Sequence, residues 1–235
     1  MSTKFSLHPQ TLKRALSDLI GFAHFSTAGE RVFNIPSISL SVSRVEGGAG
    51  ELAIVGLSKY TAGRLVVDVE GVEGDDSSEV LVLAKATEKS SIVDDLAKIG
   101  SALTGTAKDA RCYVEISNRS KLVVENNGEL VGELPDTQAS ARTHDWVEEQ
   151  LDRQNYVPFD GSLALSLSTI TRLSNLKYSG EVADLAQIPG EHKVVAAQVG
   201  ENFTGLMATV SREIYSKGGP WGTGAGTLKS LLPVD

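Results

Sequence analysis

The chain has 235 residues, 41% of them hydrophobic, enough for one large domain or two ordinary ones with real cores. Its net charge of -8 and pI near 5.1 argue against a simple nucleic-acid binder with a basic domain, though not against a protein acidic outside and basic on one internal surface. No apolar run approaches the roughly 20 residues of a membrane span, the N-terminus lacks the regions of a signal peptide, and a single cysteine forms no internal disulfide, so a cytoplasmic protein is expected.

In chain order, Phe5–Leu7 reads as a short strand and His8–Phe25 as a helix. Pro9 suits the first helical turn, where its missing N–H costs nothing. Leu12, Leu16, Leu19, Ile20 and Ala23 fall on one face at helical spacing. Gln10, Arg14, Asp18 and Gly21 take the opposite face, read as solvent-facing, with Lys13 and His24 at its flank. Strands follow at Ile35–Val45, Glu51–Leu57 and Gly63–Glu70, with a turn at Glu46–Gly50.

The same order then returns. Val80–Leu83 is an apolar strand, and Thr87–Ile99 is an amphipathic helix that buries Ile92, Val93, Leu96 and Ile99. Strands at Arg111–Ser117 and Lys121–Glu125 enclose a turn at Asn118–Arg119. Asn127-Gly128 then starts a hairpin to a third strand ending at Pro135. Asn-Gly is a strong hairpin signal because both central residues of a type I′ turn need positive φ. The fold class is therefore α+β, built on a repeated strand–helix–three-strand unit of roughly 70 residues. Cys112 alternates with Val114 and Ile116 and is expected in the core.

Beyond Pro135 the pattern is less regular. Pro135–Gln154 is polar and loop-like, with a helical turn at Asp145–Leu151. A strand at Tyr156–Phe159, a helical segment at Gly161–Lys177, and strand-like runs at Lys193–Val199 and Thr204–Val210 make most of a third copy. Three segments are expected: residues 1–135, a shorter second part over 136–217, and a flexible Gly-rich tail over 218–235.

No catalytic or cofactor chemistry is expected. His8, His24, His144 and His192 lack ligand-like spacing, so no metal site is expected. The run Gly222-Thr223-Gly224-Ala225-Gly226 before Lys229-Ser230 only superficially suggests a phosphate loop, since Leu228 stands where glycine is required. Asp75–Asp76 and Asp94–Asp95 read as solvated charge, and no G-x-S-x-G elbow occurs.

The first 135 residues resemble the first domain of a bacterial-type DNA polymerase sliding clamp, in a short version such as a phage or other compact replicon encodes. The matching segments are KFSLHPQTLKRALSDL, GERVFNIPSISLSV, GELAIVGLSKYTAGRLVVDVE, VLVLAKATEKSSIVDDLAKI and the meander ending GELP. A weaker likeness continues through His144–Trp146, the helix within 160–177 and GLMATVSREIYS. The resemblance implies clamp-like domains whose helices line one face of antiparallel sheets. It implies a ring of twelve units around double-stranded DNA, and partners in a DNA polymerase and a clamp loader. A homotrimer, with four units per chain, is favoured; with only three units per chain, four chains are required or no ring forms.

Such a clamp is not an enzyme and needs only sequence-independent phosphate contacts. The DNA-binding candidates are Lys13 and Arg14, Arg31, Lys89 and Lys98, and Arg172 and Lys177. Arg31 is the best match, because members carry a DNA-contacting arginine in that loop. Asp18, Asp94 and Asp95 on the same helices would leave the surface only mildly basic. Leu206, Met207 and Val210 are candidates for a groove that takes a polymerase peptide, where an adaptable Met would suit varied ligands. Ser230–Val234 is an apolar peptide on a glycine tether that could fill that groove in cis. The alternative function is a clamp-like scaffold that binds replication or repair proteins without encircling DNA, and an unrelated α+β enzyme is the third reading.

Overall fold

A computed structural model describes residues 2–23, 37–58, 61–83, 92–136, 147, 149–151, 156–158, 165–188 and 194–209. The first unit comprises β1 (Ser2–Leu7), α1 (Pro9–Ala23), β2 (Ser37–Arg44), β3 (Gly50–Leu57) and β4 (Thr61–Gly74). The second comprises β5 (Ser77–Leu83), α2 (Ile92–Ala102), β6 (Cys112–Ser117), β7 (Lys121–Asn126) and β8 (Glu129–Pro135). The third comprises β9 (Val157–Pro158), α3 (Leu167–Leu173), β10 (Ala183–Gln187), β11 (Val194–Val199) and β12 (Phe203–Ala208).

The first two units exchange strands. β1 pairs antiparallel with β6, the second strand of the other unit, and β5 pairs with β2 in the same way. β4 outruns its predicted Glu70 end to Gly74, because its last residues pair with β1. Its opening residues pair with β12, from Thr61↔Met207 to Leu65↔Phe203. One sheet therefore runs β8-β7-β6-β1-β4-β12-β11-β10-β9, with β3, β2 and β5 attached to it through β4. The Asn127-Gly128 turn has φ of 54° and 78°, the two positive values that a type I′ hairpin requires.

Strand alternation sorts the apolar residues between the two faces. Leu52 and Ile54 of β3, Leu65 and Val67 of β4, and Phe203 and Met207 of β12 face the main core with the apolar stripes of α1 and α2. Val55, Leu57, Ala62 and Leu206 face the other way, into a smaller cluster covered by Val147 and Leu151, which are helical among the described residues 147 and 149–151. Leu176, after α3, also joins the main core, so all three helices lie on one face in the order α2, α1, α3. Cys112 is buried, as its alternation predicts, and burial pushes its thiol up to about 11.

α1 is capped by His8, whose Nδ1 accepts from the Gln10 amide at 3.2 Å while Nε2 meets the Ala107 carbonyl at 3.0 Å. At α3 the Ser166 hydroxyl accepts from the Thr169 amide at 3.1 Å. That helix is shorter than the predicted 161–177, and residues 161–164 lie outside the described ones. The sequence reading missed β10, because its five residues are half-buried or exposed and show no alternation.

Candidate nucleic-acid interface

The α1 face read as solvent-facing is the docking surface of the third unit. Arg14, Asp18 and Gly21 recur at i, i+4 and i+7, one stripe of the helix. Asp18 is 1% exposed, which corrects its reading as surface charge. Its carboxylate accepts from the Tyr178 amide at 3.0 Å and from the Ser179 amide and hydroxyl, each at 2.7 Å. Hydrogen bonds to an ionised carboxylate are the strong ones, and they compensate its burial. One turn earlier, the Arg14 guanidinium lies 5.4 Å from the Tyr178 ring centre, a cation–π contact that leaves its charge facing solvent.

Arg172 requires a second correction. Its expected place on an exposed helix face is wrong: it is 6% exposed and points into the joint. Nη1 donates to the Thr61 hydroxyl at 2.8 Å, the Ser58 hydroxyl at 3.1 Å and the Ala23 carbonyl at 3.3 Å. The physical reason is the end of α1, whose last carbonyls carry partial negative charge while its own last turn holds no basic residue. Arg172 supplies that cation from another element, and Asn175 Nδ2 meets the Gly21 carbonyl at 3.0 Å beside it.

The remaining cations divide. Lys98 is exposed but bonded to Asp95 at 2.6 Å, and that bond and charge raise its pKa. Lys13 is half-buried, and Arg14 and Lys177 are exposed. Arg31 and Lys89 lie outside the described residues. Arg14 meets the ring of Tyr178, the residue after Lys177, while Lys13 precedes Arg14 on α1 and Asp94 and Asp95 stand in the first turn of α2.

The expected peptide groove is not open. Leu206 and Met207 are both fully buried, and being adjacent in a strand they face opposite sides of the sheet, so they cannot line one groove. Val210 lies outside the described residues, as does the tail over 218–235. An open cleft of about 330 Å³ does lie between the first and third units, but on the helix side, walled by Arg14, Asp18, Tyr178, Ser179, Glu201 and Asn202.

No protein-family model and no curated protein sequence matches the chain. Solved structures do. The C. crescentus beta sliding clamp superimposes over 100% of this chain and 69% of its own, with TM-score 0.56 and 12% identity. The Bacillus subtilis DNA polymerase sliding clamp covers the same shares at TM-score 0.54 and 11% identity. The A. fulgidus PCNA, solved with the C-terminal region of FEN-1, matches 88% of this chain and 98% of its own at TM-score 0.51 and 9% identity. The chain therefore has the sliding-clamp fold, as the sequence resemblance implied.

Proposed function

We propose that the protein is a DNA sliding clamp that tethers a replicative polymerase to duplex DNA through sequence-independent contacts, without catalysis of its own. The observation that supports this reading is the unbroken sheet with three helices side by side on one face, with Arg14 of α1 exposed and Lys177, just after α3, exposed as well. Long, mobile cations suit phosphate contacts that must slide, because such contacts hold no register on the bases. Arg31 and Lys89 join that set by resemblance. Residues 1–135 and 136–217 serve as two clamp domains, and a clamp loader opens the ring in the cytoplasm.

Ring closure takes twelve units. A trimer would draw a fourth unit per chain from residues outside those described, whereas three units per chain call for four copies. A polymerase peptide that reaches Leu206 has to displace Val147 and Leu151. The tail peptide Ser230–Val234 is a candidate to compete for that place.

One observation favours the scaffold alternative: the face is weakly basic, with Lys98 paired to Asp95 and Arg172 committed to the joint. Retention on nicked circular DNA separates the two. A clamp stays on the circle and is lost when the circle is cut, whereas a scaffold shows no dependence on topology.

A further inference from the structure

Arg14 differs from other arginines at the surface. Arg44, Arg111 and Arg119 each pair with a carboxylate, at 3.6, 3.0 and 2.7 Å, whereas Arg14 has no ion pair among the described residues. The helix places Asp18 four residues on, at ordinary ion-pair spacing. That carboxylate is committed elsewhere: Oδ1 and Oδ2 accept from the Tyr178 amide, and Oδ2 accepts from the Ser179 amide and hydroxyl. The guanidinium is left with the face of the Tyr178 ring, 5.4 Å from its centre.

The ring is set on a closely packed piece of chain. On one side Asp18 of α1 holds the two backbone amides. On the other, Gly180 and Gly200 approach each other: a Cβ on Gly180 would stand 3.2 Å from the Gly200 nitrogen. A Cβ on Gly200, where φ is 60°, would strike the Ser179 carbonyl oxygen at 2.2 Å. Gly200 lies between β11 and β12, so the loop is wedged between the helix of the first unit and a hairpin of its own. The Tyr178 side chain is nevertheless 55% exposed, and its hydroxyl has no hydrogen bond among the described residues. What the ring does touch is Arg14, through its face.

We propose that Tyr178 is a positioning residue for Arg14, its ring holding the guanidinium over the joint so that the N–H edge meets a backbone phosphate of duplex DNA. A ring face engages none of the guanidinium N–H donors, so the cation is restrained while its whole donor set stays available. An arginine restrained before binding loses less side-chain freedom when it takes a phosphate. A held cation still permits sliding, since it meets one phosphate after another without reading a base. Arg14 comes from the first unit and Tyr178 from the third, so the contact forms only in the docked joint. Glu201, on the wall of the adjoining cleft, disfavours an anion inside it and leaves the solvent side for the phosphate. The inference rests on the clamp reading in taking duplex DNA as the source of that phosphate.

The test is the affinity of the full chain for a short linear duplex, read by fluorescence anisotropy across a salt series, which needs no closed ring. Arg14→Ala is expected to reduce the slope of log affinity against log salt by about 0.9. Tyr178→Leu should weaken binding about two- to fivefold, whereas Tyr178→Phe should match the parent. Added to Arg14→Ala, Tyr178→Leu should change nothing further, while a merely damaged joint would weaken both backgrounds alike. Four results overturn the inference: a parent that binds no duplex at low salt, Arg14→Ala without effect, Tyr178→Leu at parent affinity, or an equal loss in both backgrounds. If the duplex results hold and retention on nicked circles fails, only the clamp reading is lost. Retention on circles with Tyr178→Leu at parent affinity loses only the inference.

Discussion

Arg172 and Ser39 set out the residue scale, because both are buried polar groups with opposite circumstances. Replacing Arg172 by Met strips the Ser58 and Thr61 hydroxyls and the Ala23 carbonyl of a charged donor inside the joint. The expected loss is about 1.5–3 kcal/mol by urea denaturation, from the charge-assisted bonds themselves, since the two hydroxyls still bond each other and the end of α1. The Ser39 hydroxyl is buried with no hydrogen-bond partner, so Ser39→Ala should change stability by less than about 0.5 kcal/mol or raise it slightly. Equal losses at both sites would mean that the Arg172 contacts are incidental.

Cys112 adds a pH dependence. Its folded pKa stands near 11 against an ordinary value of 9.0, because burial disfavours the thiolate. Below 9 both states keep the proton, so the thiol does not alter the balance. Between 9 and 11 the unfolded thiol ionises first, and stability falls as pH rises, by up to about 3 kcal/mol at the upper end. Cys112→Ala should flatten the stability profile across that window relative to the parent. An unchanged profile would show that other groups set it.

At the scale of elements, the joint between the first and third units depends on a row of glycines across three strands. Gly56, Gly63 and Gly205 lie directly opposite one another on β3, β4 and β12. The Phe22 and Phe203 rings meet over Gly63 and Gly205 at 4.9 Å and 73°, an edge-to-face pair, while Gly56 lies under Leu19 and Ala23. A Cβ on Gly205 would stand 2.8 Å from Phe22 and 2.9 Å from Phe203, closer than ring and methyl can approach. Gly205→Ala is therefore expected to cost about 1–3 kcal/mol through displaced rings. Calorimetry should show the transition moving to lower temperature, and an unmoved transition would mean the rings find another packing.

For the whole molecule, the question is whether the helix face meets phosphates. Reversing charge at Arg14, Arg31 and Lys177 together should weaken retention on DNA. Each lost phosphate contact removes about 0.9 from the slope of log affinity against log salt, so the variant's slope should be shallower by up to about 3. Arg172 is unsuitable for this test, because reversing it would attack the joint rather than the surface. A variant with the parent's slope would move the DNA contact elsewhere.

The sequence by itself determined the unit: the apolar stripes of α1 and α2, the alternation in β3, β6 and β7, the Asn127-Gly128 turn and the order of elements are local patterns, legible because 3.6- and 2-residue periods need no partner to be seen. What it could not determine is which polar residues meet solvent. Arg14, Asp18 and Gly21 form a polar stripe on α1, and such a stripe looks the same whether it faces water or another unit. Only the folded chain, bringing Tyr178 and Asn175 from more than 150 residues away, decides that Asp18 and Gly21 are contacts. The same holds for Arg172, whose charge marked it as surface and whose partner is the end of a helix it meets only in three dimensions. Local pattern fixes which elements form, because their energetics lie within a few turns of chain; long-range packing fixes which faces remain for function.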